Sequence, residues 1–125
     1  MSLRPGLVSV AAAALLAGCR GGGAPSGYTS ATGGDPAAGR AAIRARHCGA
    51  CHQVPHVTGA AGVIGPSLEG FSRLSFIAGT VPNTPANLIA WIRNPRHLAP
   101  RTAMPTLGLG EDEARNVAAY LYTLR

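Results

Sequence analysis

The chain contains no lysine, only five acidic side chains and only six aromatic residues in 125. So few large side chains make a thin core for this length unless something else fills it. No apolar run reaches the roughly 18–20 residues of a membrane-spanning helix. Collagen-like, coiled-coil and polytopic membrane architectures are therefore excluded, and the length allows one small domain at most. Seventeen glycines and ten prolines imply long irregular connections. What the sequence does have is three cysteines, at positions 19, 48 and 51, and each sits in an informative context.

The first 18 residues have the layout of an export signal. Arg4 supplies the positive start, Leu7 to Ala17 is apolar, and small residues follow. The end of this stretch, Leu16-Ala17-Gly18-Cys19, resembles the lipobox of bacterial lipoproteins. That resemblance implies cleavage before Cys19 and attachment of lipid through its sulfur, with the acyl chains anchoring the protein to a membrane. The mature chain would carry ten arginines and five acids, a formal charge of +5. Residues 19–34 are rich in Gly, Ser, Thr and Ala without apolar periodicity and are expected to form a flexible tether. The domain proper is expected over 35–125.

Cys48-Gly49-Ala50-Cys51-His52 has the Cys-x-x-Cys-His spacing of c-type haem attachment. Two thiols three residues apart on a tight turn can each form a thioether with one haem vinyl group. The adjacent histidine is then placed to bind the iron from one face. A structural zinc site usually needs a second pair of Cys or His ligands, and Cys19 is already assigned to lipid. A redox dithiol of the thioredoxin kind expects a βαβ pattern, which is not visible. A disulfide between residues this close would stabilise little. One motif implies one haem.

The iron's opposite face can be open or capped by Met, His or another group. Once Met1 leaves with the signal, Met104 is the only methionine of the mature chain. It lies in a loop between two helical patterns, and the following Pro105 stiffens that loop. Met104 is the favoured ligand, weighed against the gap-filling role common to buried methionines. His97, in the loop leading to Met104, is the main competitor. His47 and His56 lie too close to the attachment motif.

Local signals predict three helices. Asp35-Pro36 and Thr84-Pro85 each pair an N-cap acceptor with proline at the first helical position. The first helix is expected to run to about Arg46. The second is expected to end before Pro95, with Leu88, Ile89 and Ile92 on one face. The third follows Gly110, with Glu111, Asp112 and Glu113 in its first turn. Ala114, Val117, Ala118 and Leu121 follow at helical spacing, and Arg125 is expected to close it. Residues 54–70 show no period.

With these residues in view, 35–125 resembles a class I cytochrome c. The likeness rests on Cys48-Gly49-Ala50-Cys51-His52, Gly65-Pro66-Ser67-Leu68 and Ala103-Met104-Pro105, in that order. It extends to Ala118–Leu124, similar to the ending of bacterial monohaem cytochromes associated with terminal oxidases. The resemblance implies an all-α fold, three main helices with loops wrapped around one covalently attached haem. It implies thioethers at Cys48 and Cys51 and axial ligation by His52 and Met104. It further implies a bond from the Pro66 carbonyl to the second ring nitrogen of His52, and contacts from Trp91 and Arg73 to the haem propionates. Either Tyr120 or Tyr122 would pack on Gly39.

The function so implied is single-electron transfer, not enzymatic catalysis. The expected partners are a quinol-oxidising complex and a terminal oxidase, engaged from a lipid anchor on the extracytoplasmic, periplasmic side. The net charge favours an acidic patch on the partner, although two propionates and screening within roughly 8 Å weaken that effect. Nucleic acid is not an expected partner. One alternative is a built-in electron-entry subunit of an oxidase or dehydrogenase. Another is a haem enzyme or gas sensor with an open site.

Overall fold

A computed structural model of the chain describes residues 27–125. The signal segment, the lipidation position Cys19 and the first half of the tether, to residue 26, lie outside the described residues. In chain order the elements are α1 (Gly27–Ala31), α2 (Pro36–Ala45), 3-10 turns at Cys48–Ala50 and Phe71–Arg73, β1 (Phe76–Ile77), β2 (Val81–Pro82), α3 (Pro85–Arg93), α4 (Pro95–Leu98) and α5 (Glu111–Leu121). The domain is thus mostly helical. No helix among the described residues is long and apolar enough to cross a membrane.

The three expected helices form for the local reasons anticipated. The Asp35 carboxylate accepts from the Ala37 N–H at 2.9 Å, and the Thr84 hydroxyl accepts from the Asn87 N–H at 3.3 Å, each with proline in the first turn. α5 starts after Gly110 with no side-chain cap, so its three acids alone complement the helix dipole there. It ends at Leu121 with Tyr122 as cap, and Arg125 lies exposed beyond it, not in its last turn.

α2 crosses α5 in backbone contact. Gly39 and Ile43 are the buried residues of α2. A Cβ on Gly39 would run into the Asn116 carbonyl, so only glycine permits this crossing. Tyr120, not Tyr122, covers Gly39, with its own Cβ 3.0 Å from where a glycine Cβ would stand. The Tyr120 hydroxyl then donates to the Pro55 carbonyl at 2.6 Å, which ties α5 to the loop after the Cys-x-x-Cys-His segment.

Tyr122 does a different job. Fully buried, it donates to Asn83 Oδ1 at 2.8 Å, and the Asn83 amide donates to the carbonyls of Leu74 and Phe71. Burial pushes the Tyr122 hydroxyl well above its ordinary range, so it remains a neutral donor. This polar network pins the 71–83 segment to the end of α5. That segment includes an unanticipated hairpin, with Phe76 opposite Pro82 and Ile77 opposite Val81.

Residues 27–34 depart from the tether expectation. α1 is helical, Tyr28 packs edge-on against Tyr122 at 5.3 Å, and Arg115 donates to the Thr32 carbonyl at 3.0 Å. The sequence shows no apolar period there because the segment's buried residues are the polar Thr29 and Thr32, with Tyr28 half exposed beside them.

Arg46, which caps α2, forms a forked pair with Glu113 at 2.8 and 2.6 Å and also reaches the Leu107 carbonyl at 3.3 Å. The hydrogen-bonded guanidinium holds the Glu113 carboxyl below its ordinary value of 4.5. A lowered folded-state value means that the pair stabilises fully above about pH 4.5 and loses its contribution as pH falls through the lowered value. Both side chains are partly exposed, so the effect is screened. Glu113→Gln is expected to lower the melting temperature by on the order of 2–4 °C at neutral pH. The difference should vanish in acid, and a difference unchanged at about pH 2 would show that packing, not ionisation, is responsible.

Candidate functional site

The site begins where α2 ends. His47 takes a left-handed conformation (φ 54°), which turns the chain sharply into the 3-10 turn Cys48–Ala50. The backbone N–H groups of Cys51 and His52 both donate to the Cys48 carbonyl, at 3.2 and 3.0 Å. That tight turn presents both thiols, each half-buried, and the imidazole together. Burial pushes the Cys48 thiol up.

The irregular 54–70 loop is pinned back over this turn. Gly62 N–H donates to the Gly49 carbonyl at 3.0 Å, Gly65 N–H to Cys51 at 2.7 Å and Leu68 N–H to Gln53 at 2.9 Å. His52 Nδ1 lies 2.8 Å from the Pro66 carbonyl. A carbonyl only accepts, so Nδ1 carries the proton and the Nε2 lone pair is left free. Gly65 is required beside the ring, since a Cβ there would lie 2.5 Å from His52 Cε1. The sequence marked Gly65-Pro66 as a motif, but the steric demand appears only when the loop is folded onto the imidazole.

Two connected hollows share His52, Leu68, Phe71, Trp91 and Met104 in their walls. The inner one, about 560 Å³ counting space open to solvent, is further lined by Cys48, Leu88, Ile92, Leu107, Leu109, Val117 and Leu121. The outer one, about 910 Å³ counting its open mouth, is bordered by Cys51, Ile64, Pro66, Leu74, Ile77 and Pro105 among others. The space is apolar except for its sulfur atoms, the imidazole and a few small polar groups. Leu88 and Ile92 lie on the apolar face that helical spacing predicted, whereas Phe71 and Leu109 come from segments without a period and were not anticipated as wall residues.

Cys48, Cys51, His52, Pro66, Trp91 and Met104 are thus brought together. Arg73 is not among the residues lining the cleft. It is exposed, and its guanidinium lies back over Gly70, whose left-handed conformation (φ 66°) opens the turn at Phe71–Arg73. Beside the cleft stands a cation the sequence did not single out, Arg101. It lines a groove of about 700 Å³ that shares Ala78, Trp91 and Thr102 with the outer hollow. His47, His56 and His97 are all exposed and line neither hollow.

Among the described residues no three His, Cys, Asp or Glu converge as a metal cluster. The donor set instead suits a large, flat, apolar group carrying its own metal. It comprises two thiols on one turn, an oriented imidazole with a free nitrogen, a thioether in the same cavity and otherwise hydrocarbon walls. Fold and site together define a covalent haem-binding protein.

The comparisons with known proteins agree. The family model described as cytochrome c matches residues 36–125, and the chain belongs to that family. It is also 34% identical over 88 residues to cytochrome c oxidase subunit 2 of Alkalihalophilus pseudofirmus. The match takes in 70% of this chain but 25% of the relative, so the chain spans about a quarter of that protein's length. As a cytochrome c, the protein is an electron-transfer protein with a covalently bound c-type haem.

Proposed function

We propose that the protein is a single-electron carrier whose haem is held by thioethers at Cys48 and Cys51 and ligated by His52 and Met104. It would be exported, lipidated at Cys19 and held on the extracytoplasmic side of a membrane. There it would pass electrons from a quinol-oxidising complex to a terminal oxidase. The observation that carries this is the joint placement of His52 and Met104 in one apolar cavity, with His52 already oriented by Pro66. When bound, the haem supplies a one-electron ferrous/ferric couple. Pro66 would fix the His52 ring, Met104 would supply the second protein ligand, and the hydrocarbon walls would keep water out. Held by both His52 and Met104, the haem would serve to relay electrons and not to bind a substrate.

The likeness to an oxidase subunit favours one other form of this function, a domain permanently attached to an oxidase. Mild detergent extraction of native membranes distinguishes the two. The carrier is expected to separate from the oxidase and to show a reversible reduced-minus-oxidised c-type spectrum alone. Stoichiometric copurification with an oxidase would overturn the mobile-carrier form.

A further inference from the structure

Tyr122 and Asn83 are a buried polar pair away from the attachment turn, at 0% and 6% exposure. Each side-chain polar atom of the pair has a partner. The Tyr122 hydroxyl donates to Asn83 Oδ1 at 2.8 Å, and Asn83 Nδ2 donates to the Leu74 carbonyl at 2.9 Å and the Phe71 carbonyl at 3.3 Å. The Asn83 backbone N–H donates to the Ser75 carbonyl at 3.0 Å. Asn83 thus closes residues 71–83 into a loop with its own amide, and Tyr122 fixes that amide.

The loop is a wall of the redox cavity. Phe71 lines both hollows, and Leu74, Ile77 and Ala78 line the outer one. Its internal hold is weak. The hairpin pairs two residues per strand, and its turn places Ala78 in the left-handed region (φ 49°), where a side chain is strained. Such a conformation persists only where the surroundings impose it. Asn87 holds the far end of the loop, donating to the Pro82 carbonyl at 2.9 Å. Two hydrogen bonds join the loop to the residues after α5, Tyr122 to Asn83 and the Ser72 N–H to the Leu124 carbonyl at 3.0 Å. The Tyr122 ring also packs on Phe71, centroids 6.1 Å apart, and is backed by Tyr28 at 5.3 Å.

We propose that Tyr122 and Asn83 are positioning residues for electron transfer, holding the 71–78 wall closed so that water is kept from the haem and the reduced form is favoured. This rests on the electron-carrier function above. An apolar, water-free pocket disfavours the extra positive charge of the oxidised form, so a looser wall lowers the reduction potential. Without the Tyr122 hydroxyl, buried Asn83 Oδ1 loses its donor. The amide must then turn toward water, which frees the Leu74 and Phe71 carbonyls it holds.

The test equilibrates the full-length holoprotein with a small-molecule one-electron couple of known potential. Tyr122→Phe keeps the ring and its packing and removes only the hydroxyl. It is expected to shift the equilibrium about tenfold toward the oxidised protein, about 59 mV for one electron. Asn83→Leu should shift it in the same direction. The double variant should shift it no further than the larger single change, because both act through one network. The Leu74 and Asn83 backbone N–H groups should exchange with deuterated solvent about tenfold faster in Tyr122→Phe. Ile43→Val, in the buried face of α2 and lining neither hollow, should lower the melting temperature and leave the redox equilibrium unchanged. An unchanged equilibrium in Tyr122→Phe and Asn83→Leu overturns the proposal even where stability falls, because the pair is then structural only. So does an equal shift in Ile43→Val, or a shift in Tyr122→Phe without faster exchange at Leu74 and Asn83. An absent c-type spectrum in the wild type would defeat the carrier function and this proposal with it, a result distinct from all of these.

Discussion

Replacing Cys48 and Cys51 together by serine is expected to give a chain that retains no haem through acid–acetone extraction and does not fold cooperatively. Both thiols belong to one turn, and no other cysteine is found among the described residues. A seryl hydroxyl cannot stand in for a thiol in thioether formation. The folding consequence is the larger one. The inner hollow is walled by Leu68, Phe71, Leu88, Trp91, Ile92, Leu107, Leu109, Val117 and Leu121. Most of these side chains are buried by protein alone, but the hollow they surround needs filling, and an empty one forfeits their packing contacts at a cost that grows with its volume. A small domain has only roughly 5–15 kcal/mol of stability in all to set against that loss. Helical circular dichroism that persists without a sharp melting transition would fit a loosely packed remnant. A haem that survives extraction from the double variant would refute attachment at these residues.

Met104→Leu and Met104→Ala are expected to lower the reduction potential by on the order of 0.1 V or more, within the roughly 0.8 V that axial ligands span in haem proteins. Both should let the reduced protein bind carbon monoxide rapidly. The leucine variant separates ligation from packing. It keeps the volume of a side chain that is half-buried against the core, at a cost usually below about 1.5 kcal/mol, but removes the sulfur. If Met104 only filled space, leucine would preserve the potential and the spectrum, and alanine would change stability alone. Exposed His97 lines neither hollow, so it offers no ready replacement ligand. A Met104→Leu protein with wild-type potential and spectrum would remove Met104 from the site.

The attachment turn and the three principal helices were legible because each is encoded within a few residues. The spacing of Cys48, Cys51 and His52 is a property of one turn. The Asp35-Pro36 and Thr84-Pro85 starts are local capping chemistry, and Val117 and Leu121 reach the cavity wall through helical period alone. The hairpin at 76–82 was not legible, since two paired residues per strand leave no alternation to detect. The buried bond from Tyr122 to Asn83 joins residues 39 apart, and nothing near Asn83 signals it.

Composition and short-range pattern by themselves determined that this chain binds one haem covalently and where its helices start. They also favoured Met104 as the second axial ligand, with a histidine or an open site as the alternatives. Only the tertiary structure decided that Tyr120 lies on Gly39 and that Gly65 must lack a side chain beside His52. It also decided that Arg101, and not Arg73, lines the groove adjoining the cavity, and that Tyr28 packs on Tyr122. The division follows from range. Capping, turn geometry and helical period act over a handful of bonds and leave their mark in adjacent letters. Which side chains meet across the cleft depends on how a loop without any period is folded back onto the turn, and distant residues settle that jointly.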